Sequence, residues 1–296
     1  MDICNENLLF LLFIQILKVN IMLKITYQGV PGAYSHIAAQ RIFENQQYIP
    51  CETFEVAMNM VQDGEADFAV IPVENSNAGR VSDVHFLLPK MNLFIVNEFY
   101  LRIEHQLLGL KGANINEIET ALSHPQALAQ CDSFLKTHNI KPIARIDTAK
   151  SCEDIKQKND KTKAAIASKL AAEIYDLKIL AANIENATNN TTRFLVLSRQ
   201  HEISTYNEED VFITSFIFRV KSIPAALYKA LGGFATNGIN INKLESYLIN
   251  GEFVAAQFYV EAECHPDSQS FKNAFEELSF YSDGDIKILG TYTKFI

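Results

Sequence analysis

Phe68–Ser76 reads FAVIPVENS: six apolar residues in a row, then Glu74, Asn75 and Ser76. A continuous apolar run of this length fits a strand buried on both faces, the kind found in parallel sheets covered by helices. Ligands bind where such strands end, so three hydrogen-bonding side chains at the exit fit the wall of a site. They fit an Asx turn equally well.

Outward from this strand the pattern alternates. Lys24–Gln28 reads as a short strand ending at Gly29, and Tyr34–Glu44 as a helix with Ile37, Ala38 and Ile42 on one side. Phe54, Ala57, Met58 and Val61 follow the helical i, i+3, i+4, i+7 spacing, and Gly64 stops that helix. Leu93–Leu110 reads as two strands broken near Arg102–Glu104. Strands are expected at Ile118–Leu122, Ile140–Ile146, Ala164–Ala167, Leu177–Ala182 and Phe194–Ser198, with helices at Pro125–His138, Thr148–Lys158 and Lys169–Tyr175. This alternation predicts an α/β body with mostly parallel sheets.

His201–Asp210 is polar and acidic, as expected of a linker, and beyond it the grammar changes. Phe212–Val220 is a strand and Ala225–Asn237 a helix, which Asn237-Gly238 terminates because glycine enters the left-handed region freely. Ile239–Ile249 and Glu252–Ala262 flank Asn250-Gly251, a type I′ hairpin signal. A helix over Phe271–Leu278 and a strand over Ile286–Tyr292 complete a βαββαβ order, the ferredoxin-like α+β module.

The 296 residues allow about two domains. A net charge of -9 and scattered lysines argue against nucleic acid, which demands clustered cations. The five cysteines are odd in number and widely spaced, without C-x-x-C or zinc-like spacing, so reduced thiols in a cytoplasmic protein are expected, with no metal. Leu8–Leu17, LLFLLFIQIL, is too short to span a bilayer and follows Asp2 and Glu6 rather than the basic residues of a signal. No membrane association is expected. Residues 1–21 are read as an extension outside the fold, with Met22 as the working start.

Four polar segments fall where strands meet helices. GVPGAYS, Gly29–Ser35, allows close backbone approach and offers free amides to an anion, or is simply a tight turn. The second is Glu74-Asn75-Ser76 with Gly79. In SHPQALAQC, Ser123–Cys131, Pro125 suits the first helical position and makes His124 the cap, while Gln126 and Gln130 share a face. NATNNTTRF, Asn186–Phe194, runs into a buried strand and carries a hydroxyl, Thr192, beside Arg193, a residue suited to bidentate carboxylate binding.

In order and spacing these four segments resemble prephenate dehydratase, from Met22 onward. The resemblance implies a two-lobed catalytic body similar to type 2 periplasmic binding proteins over residues 22–200, with lobes 22–100 plus 183–200 and 101–182. It also implies a linker at 201–210 and an ACT regulatory domain over 211–296. By the same resemblance Thr192 is the catalytic group at the departing ring hydroxyl, with Ser35, Asn75, Ser76, Ser123, Gln130 and Arg193 binding substrate. Arg193 takes a carboxylate; Glu74 and His124 are the rival proton donors.

The resemblance implies L-phenylalanine as effector at Ala226, Leu227, Asn237, Gly238, Glu245 and Ser246, a homodimer or homotetramer, and no cofactor. Two segments depart from the family pattern. Its Glu-Ser-Arg-Pro turn reads Glu245-Ser246-Tyr247-Leu248, and its Gly-Ala-Leu reads Ala225-Ala226-Leu227. The expected reaction converts prephenate to phenylpyruvate in phenylalanine biosynthesis. The alternatives are an arogenate dehydratase, or a small-molecule binding protein without catalysis, since fold does not fix function.

Overall fold

The computed structural model describes residues 22–249 and 252–295, and the side chains of 248–256 are left aside. The expected extension at 1–21 and the Asn250-Gly251 turn lie outside the described residues. By contacts the chain forms two compact units. One runs to His85 and resumes over Phe99–Phe194; the other joins Phe86–Glu98 to the chain from Leu195 onward.

The first unit opens with β1 (Lys24–Gln28), α1 (Tyr34–Ile42), β2 (Gln47–Cys51), α2 (Phe54–Gln62), β3 (Phe68–Asn75), β4 (Gly79–Arg80) and α3 (Ser82–Leu87). β5 (Phe94–Arg102) leads into β6 (Gln106–Gly109). β1 pairs in parallel with β2 and β3, which buries Ile25, Tyr27, Val70 and Ile71 against α1 and α2. β2 has no counterpart in the sequence reading, because Gln47 and Pro50 break its apolar pattern. It is an edge strand, where a proline's missing N–H costs no ladder bond.

A second sheet follows from β6, β7 (Thr120–Ser123), β8 (Lys141–Ala144), β9 (Lys163–Ala167) and β10 (Lys178–Ala181), ordered β10-β6-β9-β7-β8. Its helices are α4 (Pro125–Gln130), α5 (Asp132–Thr137), α6 (Lys150–Lys158) and α7 (Lys169–Ile174). One face buries Ala121, Leu128, Leu135 and Ile166; the other buries Leu108, Cys152, Ala165 and Ala171. The sheet is mixed rather than mostly parallel. β6 is antiparallel to both β9 and β10, since the chain arrives directly from β5 without a crossover helix.

The single helix expected over Pro125–His138 is two. Asn186 breaks it: its N–H donates to the Gln130 carbonyl at 2.7 Å and its Oδ1 accepts from the Ser133 N–H at 3.2 Å. Both backbone groups are thereby withdrawn from the helix ladder.

β11 (Thr191–Ser198) starts three residues before the expected strand, so Thr192 and Arg193 lie inside it. The first sheet is ordered β2-β1-β3-β11-β5, with β4 beside β3, and the boundary between the units runs through β5 and β11.

The second unit carries β12 (Phe212–Arg219), α8 (Ala226–Thr236), β13 (Ile241–Ile249), β14 (Glu252–Glu263), α9 (Gln269–Tyr281) and β15 (Lys287–Thr293). The order β13-β14-β12-β15 and both central helices match the βαββαβ expectation. Phe216, Phe218, Phe258 and Val260 alternate onto one sheet face and pack with Phe234 and Leu278 of the helices. Gly238 closes α8 at φ +69°, with the Ile239 N–H bonded to the Phe234 carbonyl at 2.8 Å. Within this unit Gly290 lies so near the 86–98 segment that a Cβ there would sit 2.0 Å from the Ile95 carbonyl oxygen. No helix among the described residues is long and apolar enough to cross a membrane.

Candidate active site

The C-terminal end of β3 lies beside the start of β11, held by the Ser76 N–H donating to the Thr191 carbonyl at 2.8 Å. Ser76 Oγ donates to the Asn189 carbonyl and accepts from the Thr191 N–H, both at 3.0 Å. Ser76 therefore stitches two loops. Beside it Asn75 forms an Asx turn: its Oδ1 accepts the N–H groups of Asn77 at 3.1 Å and Ala78 at 3.0 Å. Of the two readings of this segment, the hydrogen bonds show the turn. With Oδ1 occupied by backbone donors, the Asn75 amide group points across to β11 and donates to Thr192 Oγ1 at 2.9 Å and Asn190 Oδ1 at 2.8 Å.

This contact defines what Thr192 can do. A hydroxyl has one proton and two lone pairs. Asn75 occupies a lone pair, so the half-buried Thr192 keeps its proton for a ligand. Donation into the oxygen also polarises the O–H bond.

Gln130, at the end of α4, joins the group from the second sheet. Its Oε1 accepts from Asn190 Nδ2 at 3.0 Å and pairs with His105 Nε2 at 2.9 Å. His105 Nδ1 lies 2.8 Å from the Tyr34 hydroxyl. Burial pushes the imidazole below the ordinary histidine value, opposed by the Gln130 hydrogen bond and the Glu185 carboxylate. The Glu185 Oε2 accepts the His105 backbone N–H at 2.9 Å. Asn190, His105 and Tyr34 went unnoticed in the sequence. Asn190 and Tyr34 stand inside motifs already singled out, but Gln130 and His105 are 25 residues apart and Tyr34 and His105 71, so no local spacing marks their contacts.

The remaining expected residues lie elsewhere. Ser123 is fully buried and donates to the Ile166 carbonyl at 2.6 Å, tying the exit of β7 to β9. Alternation along an extended strand sends Arg193 to the face opposite Thr192, where it is buried with its guanidinium 5.9 Å from the Tyr100 ring centre. Ser35, in the first turn of α1, is buried. His124 is exposed and caps α4 through the Gln126 N–H, while Glu74 precedes Asn75 in β3 and so leaves that strand on its other face.

The GVPGAYS turn docks on the second sheet's helices. Ser168 Oγ donates to the Gly32 carbonyl at 2.6 Å, and a Cβ on Gly32 would lie 2.8 Å from the Ala171 Cα. Only glycine permits that approach at φ +92°. Cys131, beside α4, has its thiol pushed up to about 12 by burial and the Glu185 charge, so it is not a nucleophile at neutral pH. Among the described residues no group of three or more His, Cys, Asp and Glu could hold a metal ion.

In the second unit Ala226 and Leu227 open α8 while Asn237 and Gly238 end it, about 15 Å apart at 1.5 Å per residue. Glu245 pairs with Tyr259 and Ser246 with Phe258, so these neighbours face opposite sides of the sheet. The six residues expected around an effector thus form no single cluster within one module. Ala225, where the family pattern has glycine, sits in the left-handed region at φ +58°, ψ 27°.

A two-sheet α/β body that gathers Asn75, Asn190, Thr192 and Gln130 at a strand exit has its polar side chains where open α/β sheets bind small molecules. A family model described as prephenate dehydratase matches residues 25–202. The chain is 42% identical over 268 residues, 90% of its length and 95% of the relative's, to a bifunctional N-acyl-homoserine lactone acylase/prephenate dehydratase of Komagataeibacter europaeus. It is 37% identical over 278 residues, 91% of its length and 72% of the relative's, to arogenate dehydratase/prephenate dehydratase 2 of Arabidopsis thaliana. A solved prephenate dehydratase of Arthrobacter aurescens in complex with L-Phe superposes with TM-score 0.84 at 26% identity, covering 92% of this chain and 90% of the other. The chain belongs to the prephenate dehydratase family.

Proposed function

We propose that this protein converts prephenate to phenylpyruvate, with Thr192 supplying the proton to the departing ring hydroxyl. The observation that carries the reading is the 2.9 Å hydrogen bond from Asn75 Nδ2 into Thr192 Oγ1. Prephenate loses its ring carboxylate as carbon dioxide. The electrons of that bond move into the ring, and the C–O bond opposite breaks with its electron pair leaving on oxygen. One proton makes that oxygen water, and the ring becomes aromatic. Carbon dioxide needs no help, so the oxygen is the one place where a donor accelerates the reaction.

A threonine hydroxyl is a weak acid, and a positioned donor contributes roughly 10²- to 10⁴-fold. Orientation and electrostatics supply the rest. Gln130 and Asn75 position the substrate, with Ser76 and Ser123 holding the strand exits. Arg193 enters through its charge, since its side chain leaves β11 on the other face. Arogenate, the amino-acid analogue, presents the same ring, and relatives 37% identical are named for it.

The 211–296 region we read as an ACT module, with 201–210 as its linker. L-phenylalanine is its effector, bound at the ends of α8 and at Glu245–Ser246 when two copies meet. An allosteric ligand acts only through unequal affinity for two arrangements.

The test follows ring-product formation from prephenate and from arogenate, with and without L-phenylalanine, alongside hydrolysis of an N-acyl-homoserine lactone. Prephenate turnover that phenylalanine suppresses is the expected result. Turnover of neither ring substrate overturns the reading; turnover indifferent to saturating phenylalanine overturns only the effector assignment.

A further inference from the structure

His105 is buried, 2% exposed, and the reaction as described makes no use of it. Its protonation follows from hydrogen bonds several residues away. The Asn77 and Ala78 backbone amides fix Asn75 Oδ1 as an acceptor, because a backbone N–H can only donate. Asn75 Nδ2 must then donate to Asn190, which fixes Asn190 Oδ1 as acceptor and its Nδ2 as donor. That Nδ2 donates to Gln130 Oε1, so the oxygen of the Gln130 carboxamide is the end facing His105. An amide oxygen cannot donate. His105 Nε2 therefore carries the proton, and Nδ1 of the neutral ring faces the Tyr34 hydroxyl at 2.8 Å, whose single proton is shared between that nitrogen and the Glu104 carbonyl at 2.9 Å.

The consequence falls on Gln130. Its Oε1 already takes two hydrogen bonds, from His105 and Asn190, and its backbone carbonyl takes the Asn186 N–H. Its Nε2 has no partner among the described residues. Were the carboxamide reversed, Nε2 would face two donors and the oxygen would face outward. The ring and Asn190 exclude that orientation.

We propose that His105 is a positioning residue of the dehydratase site: its Nε2–H, seated by Tyr34, locks the Gln130 carboxamide so that its NH₂ group is presented to a carboxylate or carbonyl oxygen of the substrate. The proposal rests on the dehydratase reading above. It predicts that the element required at position 105 is an N–H at the place of Nε2, and not an imidazole. Glutamine supplies a donor near that place; asparagine supplies one near Nδ1, too far back to reach Gln130.

The experiment has two parts, with thermal melts confirming that each variant is folded. In the ¹⁵N-labelled wild-type protein, the His105 ring shifts at neutral pH should report the Nε2–H tautomer; the Nδ1–H tautomer overturns the proposal whether or not any variant folds. In steady-state kinetics, His105→Gln should hold kcat/KM within about threefold of wild type. His105→Asn should lose about tenfold or more, mainly through KM, as the presented amide loses its fixed orientation. Equal activity in His105→Asn and wild type, or equal loss in both variants, also overturns it. If wild type turns over neither prephenate nor arogenate, the functional reading falls, and the tautomer still decides the network.

Discussion

Asn75→Asp changes a single NH₂ group to an oxygen and leaves the shape of the side chain intact. The oxygen that accepts from the Asn77 and Ala78 amides is retained, so the turn that ends β3 survives. Everything on the other side of the group inverts. The new carboxylate oxygen would face Thr192 Oγ1 at 2.9 Å and Asn190 Oδ1 at 2.8 Å. Thr192 answers by turning its own O–H to the carboxylate, since charge-assisted hydrogen bonds are about twice as strong as neutral ones. Its proton is then no longer available to a leaving hydroxyl.

The expected loss in kcat is the full contribution of a positioned donor, about 10²- to 10⁴-fold. Asn190, 1% exposed, either keeps an oxygen against the carboxylate or turns and places that oxygen against Gln130 Oε1. Either way a buried acceptor loses its donor, at a cost of about 1–3 kcal/mol. Ring-product absorbance gives kcat and KM, and urea denaturation gives the stability. If Asn75→Asp folds and retains wild-type kcat, Thr192 does not act through a free proton, and the reasoning fails.

Thr192→Ser should keep substantial turnover, because the hydroxyl and its Asn75 donor persist. Thr192→Ala should lose orders of magnitude in kcat with little change in KM; a fully active alanine variant, with Glu74→Gln or His124→Ala inactive, would move the proton donor. Ala225→Gly should stabilise the protein by about 1 kcal/mol, since Ala225 pays the left-handed penalty at φ +58° that glycine escapes. A lower urea midpoint would contradict that account. Burial lowers the folded-state values of His36 and His105 below the ordinary histidine range. The unfolded chain then binds more protons as pH drops. The stability from the neutral rings is complete above about pH 6.5 and is lost as pH falls through the folded values, by at most about 1.4 kcal/mol per pH unit for each. His36 also accepts the Gly32 N–H at Nδ1, a bond its protonation would break. Urea midpoints that are flat between pH 7.5 and 5 would show these rings to be accessible to protons in the fold.

The strands with unbroken apolar runs, Phe68–Val73 and Ala164–Ala167, were legible because burial on both faces leaves a mark every residue long. The βαββαβ order was equally plain from alternation and from the Asn237-Gly238 stop. β2 was hidden by its edge position, where burial imposes no pattern. The break at Cys131 was hidden because Asn186, which causes it, is distant in sequence.

By itself the sequence determined the chemistry on offer: a hydroxyl at Thr192, carboxamides at Asn75 and Gln130, and strand exits to hold them. Local composition and period suffice for that, because they dictate which backbone segments become strands and what stands at their ends. Only the tertiary structure decided which way each group points. Two backbone amides orient Asn75, and that choice passes through Asn190 and Gln130 to the ring of His105. The direction of a hydrogen bond is a property of both partners, and beyond the two turn amides these partners lie 25 to 115 residues apart.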